Sequence, residues 1–327
     1  MDRRPAPSAL AEFVLLTGPL GSGKTTLLSD HLALSATSDT GVIINDAGEV
    51  NVDGAIIGSD HRDLALATLS DGCICCSLGN SLQDGIDALL LARADRQLGP
   101  LRRIILETSG LAEPGPIVRS LRQVRQMDFN LRIITTFDAS QSTDEDDFLP
   151  HYAAQLAAAQ IVVLTKLDAV PDKRWPVRAA EVQRFNPLAV QVAVSRREER
   201  ALAAFAGAGG HPPVISSFTA SKPQPSRITI AFARWSEAAS WEAIGEWIED
   251  VSGYLGSRLL RLKGFVRPYG FLDPLLINGI GGAFSSPRPI RIESGTSLGL
   301  TMILRDVSKE EFIRFPRTAS EPELMFK

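Results

Sequence analysis

The segment Gly18-Pro19-Leu20-Gly21-Ser22-Gly23-Lys24-Thr25 follows an apolar run, Glu12 to Thr17, and leads into a helical pattern that ends near Leu34. That order leaves room for little besides a strand, a glycine-rich turn and the first turn of a helix. Glycines at 18, 21 and 23 let successive backbone N–H groups point inward, and the helix that follows adds the positive end of its dipole. The result is a cradle for phosphate groups. Lys24 reaches the β- and γ-phosphates of a bound nucleotide, and the Thr25 hydroxyl is a ligand for Mg²⁺.

Further short apolar runs recur toward residue 205. The spacing predicts strands over 12–17, 41–45, 103–108, 131–137, 160–165 and 189–194. Helices are expected over 24–34, 78–97, 115–127, 148–159 and 174–185. The strands are continuous apolar runs rather than alternating ones, as expected where helices cover both faces of a sheet. The fold expected is α/β, a doubly wound and mostly parallel sheet. Residues 206–227 are rich in Gly, Pro and Ser and read as a linker. Beyond them, 228–327 reads as a smaller α+β domain. Its expected strands are 228–233, 259–266, 274–278, 289–293 and 297–304, with a helix over about 240–255. In that helix Trp241, Ile244, Ile248, Val251 and Leu255 recur at helical spacing and form a core stripe.

Two later segments extend the phosphate site. The strand over 103–108 ends in Glu107-Thr108-Ser109-Gly110. A carboxylate there can hold the Mg²⁺ water shell, and Gly110 can donate its N–H toward a γ-phosphate. Thr165-Lys166-Leu167-Asp168 closes the strand over 160–165. Asp168 can accept from the N1–H and exocyclic amine of guanine while the Lys166 stem lies over the base. Adenine lacks that donor pair, and an unsatisfied buried carboxylate costs roughly 1–3 kcal/mol. GTP is therefore expected in preference to ATP.

All 3 cysteines of the chain lie in Cys73-Ile74-Cys75-Cys76. Thiolates suit Zn²⁺ and other borderline or soft divalent ions. Cys73 and Cys75 can turn both sulfurs toward one ion, with Cys76 a third ligand or a packing residue. Redox pairing is disfavoured, because cysteines one or two apart form strained bridges. The 4 histidines, His31, His61, His151 and His211, are scattered and read as structural or surface residues. Glu49, in Asn45-Asp46-Ala47-Gly48-Glu49, sits where a nucleotide-responsive loop belongs and is either a further metal ligand or an exposed loop acid.

A net charge of −4 gives no electrostatic case for nucleic acid or an anionic membrane as partner. The run Phe13 to Leu16 is too short for a secretion signal, and no stretch approaches the roughly 18 apolar residues of a membrane span. Clustered thiols with no disulfide framework suit a reducing, cytoplasmic setting.

Together the segments GPLGSGKTTLL (18–28), NDAGEVNVD (45–53), DGCICCSL (71–78), ETSGLAEPGPI (107–117), TKLD (165–168) and RLKGF (261–265) resemble the CobW-type family of metallochaperone GTPases. The urease- and hydrogenase-maturation GTPases are cousins of that family. The resemblance implies a P-loop GTPase domain over 1–205, slow GTP hydrolysis, and delivery of Zn²⁺, Co²⁺ or a related ion to a client protein. It also implies that Gly21, Ser22, Gly23, Lys24, Thr25 and Thr26 bind phosphate and Mg²⁺. Glu107 and Gly110 then sense the γ-phosphate, Lys166 and Asp168 bind the base, and Cys73, Cys75 and Cys76 hold the metal. The acid that orients the hydrolytic water is Asp46 or Glu107. A nucleotide-dependent homodimer is a further expectation. The chain departs from the family at Asp46-Ala47, where Glu-Phe is frequent, at Ile44, and at Thr165, where Asn is commoner. It also lacks a His-rich stretch between domains. Two other readings use the same residues: a GTP-gated metal sensor or sequestering protein without a client, and a P-loop kinase of small molecules.

Overall fold

The computed structural model describes residues 11–35, 38–45, 65–69, 78–95, 100–122, 129–141, 150–171, 174–206, 227–236, 239–292, 296–315 and 322–326. The chain divides into two compact units. One comprises Met1–Gln141, Gln160–Trp175 and Gln191–Gly207; the other comprises Ser142–Ala159, Pro176–Val190 and Ala208–Lys327.

From the N-terminal side the elements are β1 (Ala11–Thr17), α1 (Lys24–Leu34), β2 (Thr40–Asn45), β3 (Ala65–Leu69), α2 (Leu78–Asp95), β4 (Arg103–Glu107), α3 (Pro114–Leu121) and β5 (Phe129–Asp138). They continue with α4 (Pro150–Ala158), β6 (Ile161–Thr165), α5 (Trp175–Phe185), β7 (Val190–Val192) and α6 (Arg197–Phe205). The first sheet has the order β3-β2-β4-β1-β5-β6-β7. Its registered pairs β1–β4, β1–β5, β2–β3, β2–β4 and β5–β6 are all parallel.

Helices α1 and α6 pack together on one face, and α2 contacts β3 and α3 on the other. Two helical layers explain the sequence pattern, since every residue of β2 and β6 is buried. The core under α1 and α6 joins Leu27, Leu28 and Leu32 to Val14, Ile134 and Phe205. Within it His31 stacks on Phe205, rings 3.9 Å apart and 7° from parallel. Burial, then the charges of Arg103 and Arg132, push its imidazole down to about 4. His31 is thus a neutral packing residue at physiological pH, as its isolation in the sequence implies.

The doubly wound sheet agrees with the sequence reading, with differences at its edges. Strand β3 is an addition: Ala-Leu-Ala-Thr-Leu carries one β-branched residue, which gives a weak strand signal. Helix α6 is another, its helical stretch directly following the short β7.

The second sheet is antiparallel throughout its registered pairs. Its elements are β8 (Ile228–Arg234), α7 (Trp241–Leu255), β9 (Leu259–Val266), β10 (Leu275–Ile280), β11 (Ala283–Phe284), β12 (Arg288–Pro289), β13 (Gly299–Arg305), α8 (Lys309–Ile313) and β14 (Glu323–Phe326). The order is β11-β10-β9-β13-β8-β14, with β12 paired to β10. Ile244, Ile248, Val251 and Leu255 of α7 lie in one core with Leu262, Ile277 and Met302, and Trp241 packs against its edge. Ser240 caps α7 by accepting from Ala243 N–H. Among the described residues no helix is long and apolar enough to cross a membrane.

Asn186, fully buried, ties α5 to the end of α4. Its Nδ2 lies 2.7, 3.1 and 3.0 Å from the carbonyls of Leu156, Ala157 and Ala159, and its Oδ1 accepts from Leu188 N–H. A helix C-terminus leaves such carbonyls short of intrahelical donors, and Leu156 O here has a further one, Ala159 N–H at 3.2 Å. Asn186→Ala removes this donor from the three carbonyls and the acceptor from Leu188 N–H. It should lower stability by about 2–4 kcal/mol, read as a reduced urea midpoint for the full chain.

Candidate functional site

The sheet order reverses at β1, which lies between β4 and β5. In an open α/β sheet the carboxyl ends of strands at such a switch form a ligand crevice. Here that crevice holds the glycine turn between β1 and α1. A cavity of about 520 Å³ opens there, with Gly21, Gly23, Lys24, Thr25, Glu107 and Gly110 in its wall. Thr26, Asn45, Lys166 and two exposed leucines, Leu20 and Leu111, are also in the lining.

The turn is held from three strands. Gly18 has φ +141°, and a Cβ on it would sit 2.3 Å from Thr136 Oγ1 on β5. Ser22 Oγ donates to Pro19 O at 2.7 Å and shares a 2.6 Å bond with Thr136 Oγ1. The Thr165 hydroxyl of β6 donates to Ser22 O at 2.7 Å. Gly110 closes the other side: a Cβ there would lie 2.3 Å from Leu20 N. Helix α1 begins at Gly23 with no side-chain cap and no acid in its first turn. Its terminal N–H groups and dipole therefore face the cavity with no capping side chain of the helix's own, which favours an anion.

The polar side chains are preset. Lys24, buried, donates from Nζ to Gly18 O at 2.9 Å and to Pro19 O at 3.0 Å. Thr25 Oγ1 donates to Glu107 Oε1 at 2.6 Å, and Glu107 is buried at the end of β4. A hydroxyl and a carboxylate side by side form a hard-oxygen pair of the kind Mg²⁺ prefers. Asn45, also buried, ends β2 at the cavity, and its Nδ2 has no hydrogen-bond partner among the described residues.

A second cavity of about 380 Å³ adjoins the first and shares Gly23, Thr26 and Lys166 with it. Asp168, Ser195, Arg197 and Arg200 line its far side. Lys166 holds a left-handed backbone, φ 53°, which costs a non-glycine residue about 1–2 kcal/mol. Its Nζ donates to Asp138 Oδ2 at 2.6 Å. Burial opposes ionisation of Asp138, but the bonds from Lys166 and Ser140 prevail and hold its carboxyl below the usual range. Arg197 meets Asp30 through two bonds, Nε at 3.0 Å and Nη2 at 2.7 Å.

The structure thus gathers Gly18, Gly21, Ser22, Gly23, Lys24, Thr25, Thr26, Glu107, Gly110, Lys166 and Asp168 around two joined cavities. Asp46, Glu49, Cys73, Cys75 and Cys76 lie outside the described residues. Among the described residues no group of three or more His, Cys, Asp or Glu can hold a metal ion. Sequence reasoning missed Asn45, Asp138, Ser195, Arg197 and Arg200. Asp138 ends an apolar strand, as Glu107 and Thr165 do, and that position was its one available signal.

The family model described as CobW/HypB/UreG, nucleotide-binding domain, matches residues 12–193, more than half of the sequence. The chain belongs to the CobW/HypB/UreG family. It is 36% identical to the zinc chaperone YjiA of Escherichia coli (strain K12) over 47% of its own length and 48% of that protein. It is 27% identical to the zinc chaperone CobW of Pseudomonas aeruginosa, over 83% and 80% of the two chains. It also matches the zinc-regulated GTPase metalloprotein activator 1 of Dictyostelium discoideum, 27% identical over 53% and 43%. The chain therefore spans about half the length of the first and third of these. Zinc-bound YjiA GTPase from E. coli superposes with a TM-score of 0.64 at 20% identity, covering 95% of this chain and all of that one. A zinc-bound triple mutant of YjiA gives 0.67. The two structures share the fold of this member of the CobW/HypB/UreG family: a parallel P-loop sheet and a separate antiparallel one.

In this family member, adding a methyl group at Gly110 pushes against the Leu20 backbone, which has no flexible side-chain end to yield. Gly110→Ala should weaken nucleoside triphosphate binding at least tenfold, as measured by calorimetric titration in the presence of Mg²⁺.

Proposed function

We propose that this chain is a GTP-hydrolysing metallochaperone. In this reading residues 1–205 are the GTPase domain, 206–227 the linker and 228–327 the C-terminal domain. Zn²⁺ or Co²⁺ is the cargo, carried on Cys73, Cys75 and Cys76 with Glu49 and passed to a client metalloprotein. One observation supports the nucleotide half most strongly. The cradle at the α1 N-terminus and the cavity holding Asp168 adjoin each other through Gly23, Thr26 and Lys166. One ligand with phosphates at one end and a flat, donor-bearing base at the other fits both. Family membership and the C-x-C-C cluster support the metal half.

The chemistry assigned to the residues follows from their starting contacts. When GTP enters, Lys24 exchanges the Gly18 and Pro19 carbonyls for β- and γ-phosphate oxygens. Backbone N–H groups of residues 21–26 take the remaining oxygens, and preset dipoles of this kind stabilise charge developing in the transition state. Thr25 and Glu107 would hold Mg²⁺, which when bound neutralises charge between the β- and γ-phosphates. Glu107 or Asp46 orients the attacking water, and Gly110 reads the γ-phosphate through its N–H. Asp168 selects guanine by accepting from N1–H and the exocyclic amine. Loss of the γ-phosphate then frees the segment that carries Asp46 and Glu49.

Asn45 is the last described residue before that segment, and it lies in the phosphate cavity. That placement supports a coupling of nucleotide and metal, and coupling between two ligands is reciprocal. Leu20 and Leu111, 84% and 60% exposed beside the cavity, support a second copy of the chain docking there when nucleotide is bound. The clustered thiols fit a cytoplasmic setting.

Zn²⁺ affinity measured by competition with a chromophoric chelator tests the reading. It should be at least tenfold tighter with a non-hydrolysable GTP analogue and Mg²⁺ than with GDP. Cys75→Ser should lose most of the metal and keep the nucleotide. Equal Zn²⁺ affinities in the two nucleotide states contradict the mechanism.

A further inference from the structure

The two faces of the second sheet are chemically unlike. Leu262, Ile277 and Met302 point to the core shared with α7 and α8. The opposite face sets charge among the buried apolar residues Ile280, Ile303 and Phe265. On β9, Lys263 pairs with Asn278 of β10 on one side and with Thr301 of β13 on the other. Paired residues of an antiparallel sheet share a face, as do residues two apart on one strand. Arg261 therefore lies on the face of Lys263. Arg288 of β12 pairs with Leu276, two residues from Asn278, and so joins the same face.

Three cations thus share one surface of β12, β10 and β9. Arg261 is 1% exposed; its Nη1 donates to Ala158 O at 3.0 Å, and its Nε has no hydrogen-bond partner among the described residues. Lys263 is half-buried and Arg288 exposed, so the cluster runs from the interior to solvent. The neighbouring Asn278 Oδ1 is buried and likewise unpartnered among the described residues. No carboxylate among the described residues forms an ion pair with any of the three cations.

Buried cations are ordinarily paired, because an isolated charge taken out of water is costly. Here burial, then the charges of Arg261 and Arg288, push the Lys263 ammonium down to about 7. Burial alone pushes Arg261 down to about 10. The negative partner that would relieve both is missing from the described face.

We propose that Arg261, Lys263 and Arg288 form a binding site for a small oxyanion, a phosphate or a carboxylate group. The anion accepts from Arg261 Nε, from the Lys263 ammonium and from the Arg288 guanidinium. Such charge-assisted bonds are the strong class of hydrogen bond. None of these three residues is in the lining of the two cavities described above, and the proposal does not rest on the function proposed there.

The test uses the full chain carrying Lys24→Ala, which weakens phosphate binding at the glycine turn. Inorganic phosphate and succinate are titrated separately by calorimetry at constant ionic strength. Saturable binding of at least one anion is expected, with phosphate alone assigning a phosphoryl ligand and succinate alone a carboxyl ligand. Adding Lys263→Met should weaken it at least tenfold, and Lys263→Arg should restore it to within threefold. Arg288→Gln, on an exposed side chain, should weaken it at least threefold, so the proposal stays testable if Lys263→Met fails to fold. Absence of saturable binding by either anion overturns the proposal. So does unchanged affinity in Lys263→Met, or in Arg288→Gln if Lys263→Met does not fold.

Discussion

The arrangement around the glycine turn rests on a conflict between backbone donors and the need to satisfy them. Helix α1 begins without a side-chain cap and with no acidic residue in its own first turn, so the positive end of its dipole faces the cavity. The turn holds this shape because Thr136, Ser22 and Thr165 link β5 and β6 to it through buried hydroxyl contacts. Lys24 and Thr25 meanwhile satisfy themselves on Gly18, Pro19 and Glu107. These contacts are replaceable by phosphate oxygens and a hard cation at little cost in reorganisation. That is the physical sense in which the site is prepared for a charged ligand.

The second cavity depends on the same economy of fixed groups. Lys166 accepts a left-handed backbone at the end of β6, and its ammonium is anchored on Asp138 at the end of β5. Strain of this kind persists where surrounding contacts over-determine it, and it clusters at functional sites. The stem of Lys166 is thereby directed along one wall while Asp168 faces the cavity from the following turn.

Much of this was legible in the sequence because the signals are local. The glycine turn, the continuous apolar strands and the acids at strand ends each read within a few neighbouring residues. Asp30 and Arg197, 167 positions apart, form a bidentate pair beside the second cavity that no local pattern announces. Asn186 is equally silent, since its value lies in carbonyls of a different helix. The short edge strands β11, β12 and β14 were missed or misplaced for another reason. Two to four residues give no period to count, and their pairing partners define them. In the second sheet, the alternation that separates Leu262 from Lys263 becomes informative only once the register is known.

The central claim is that the glycine turn is a triphosphate site whose present internal contacts stand in for ligand contacts. A crystal structure of the full chain with a non-hydrolysable GTP analogue and Mg²⁺ tests it most directly. Lys24 Nζ should leave the carbonyls of Gly18 and Pro19 for phosphate oxygens, and Thr25 Oγ1 should leave Glu107 for the cation. A nucleotide bound elsewhere, or one bound here with Lys24 still on its own carbonyls, would contradict the account.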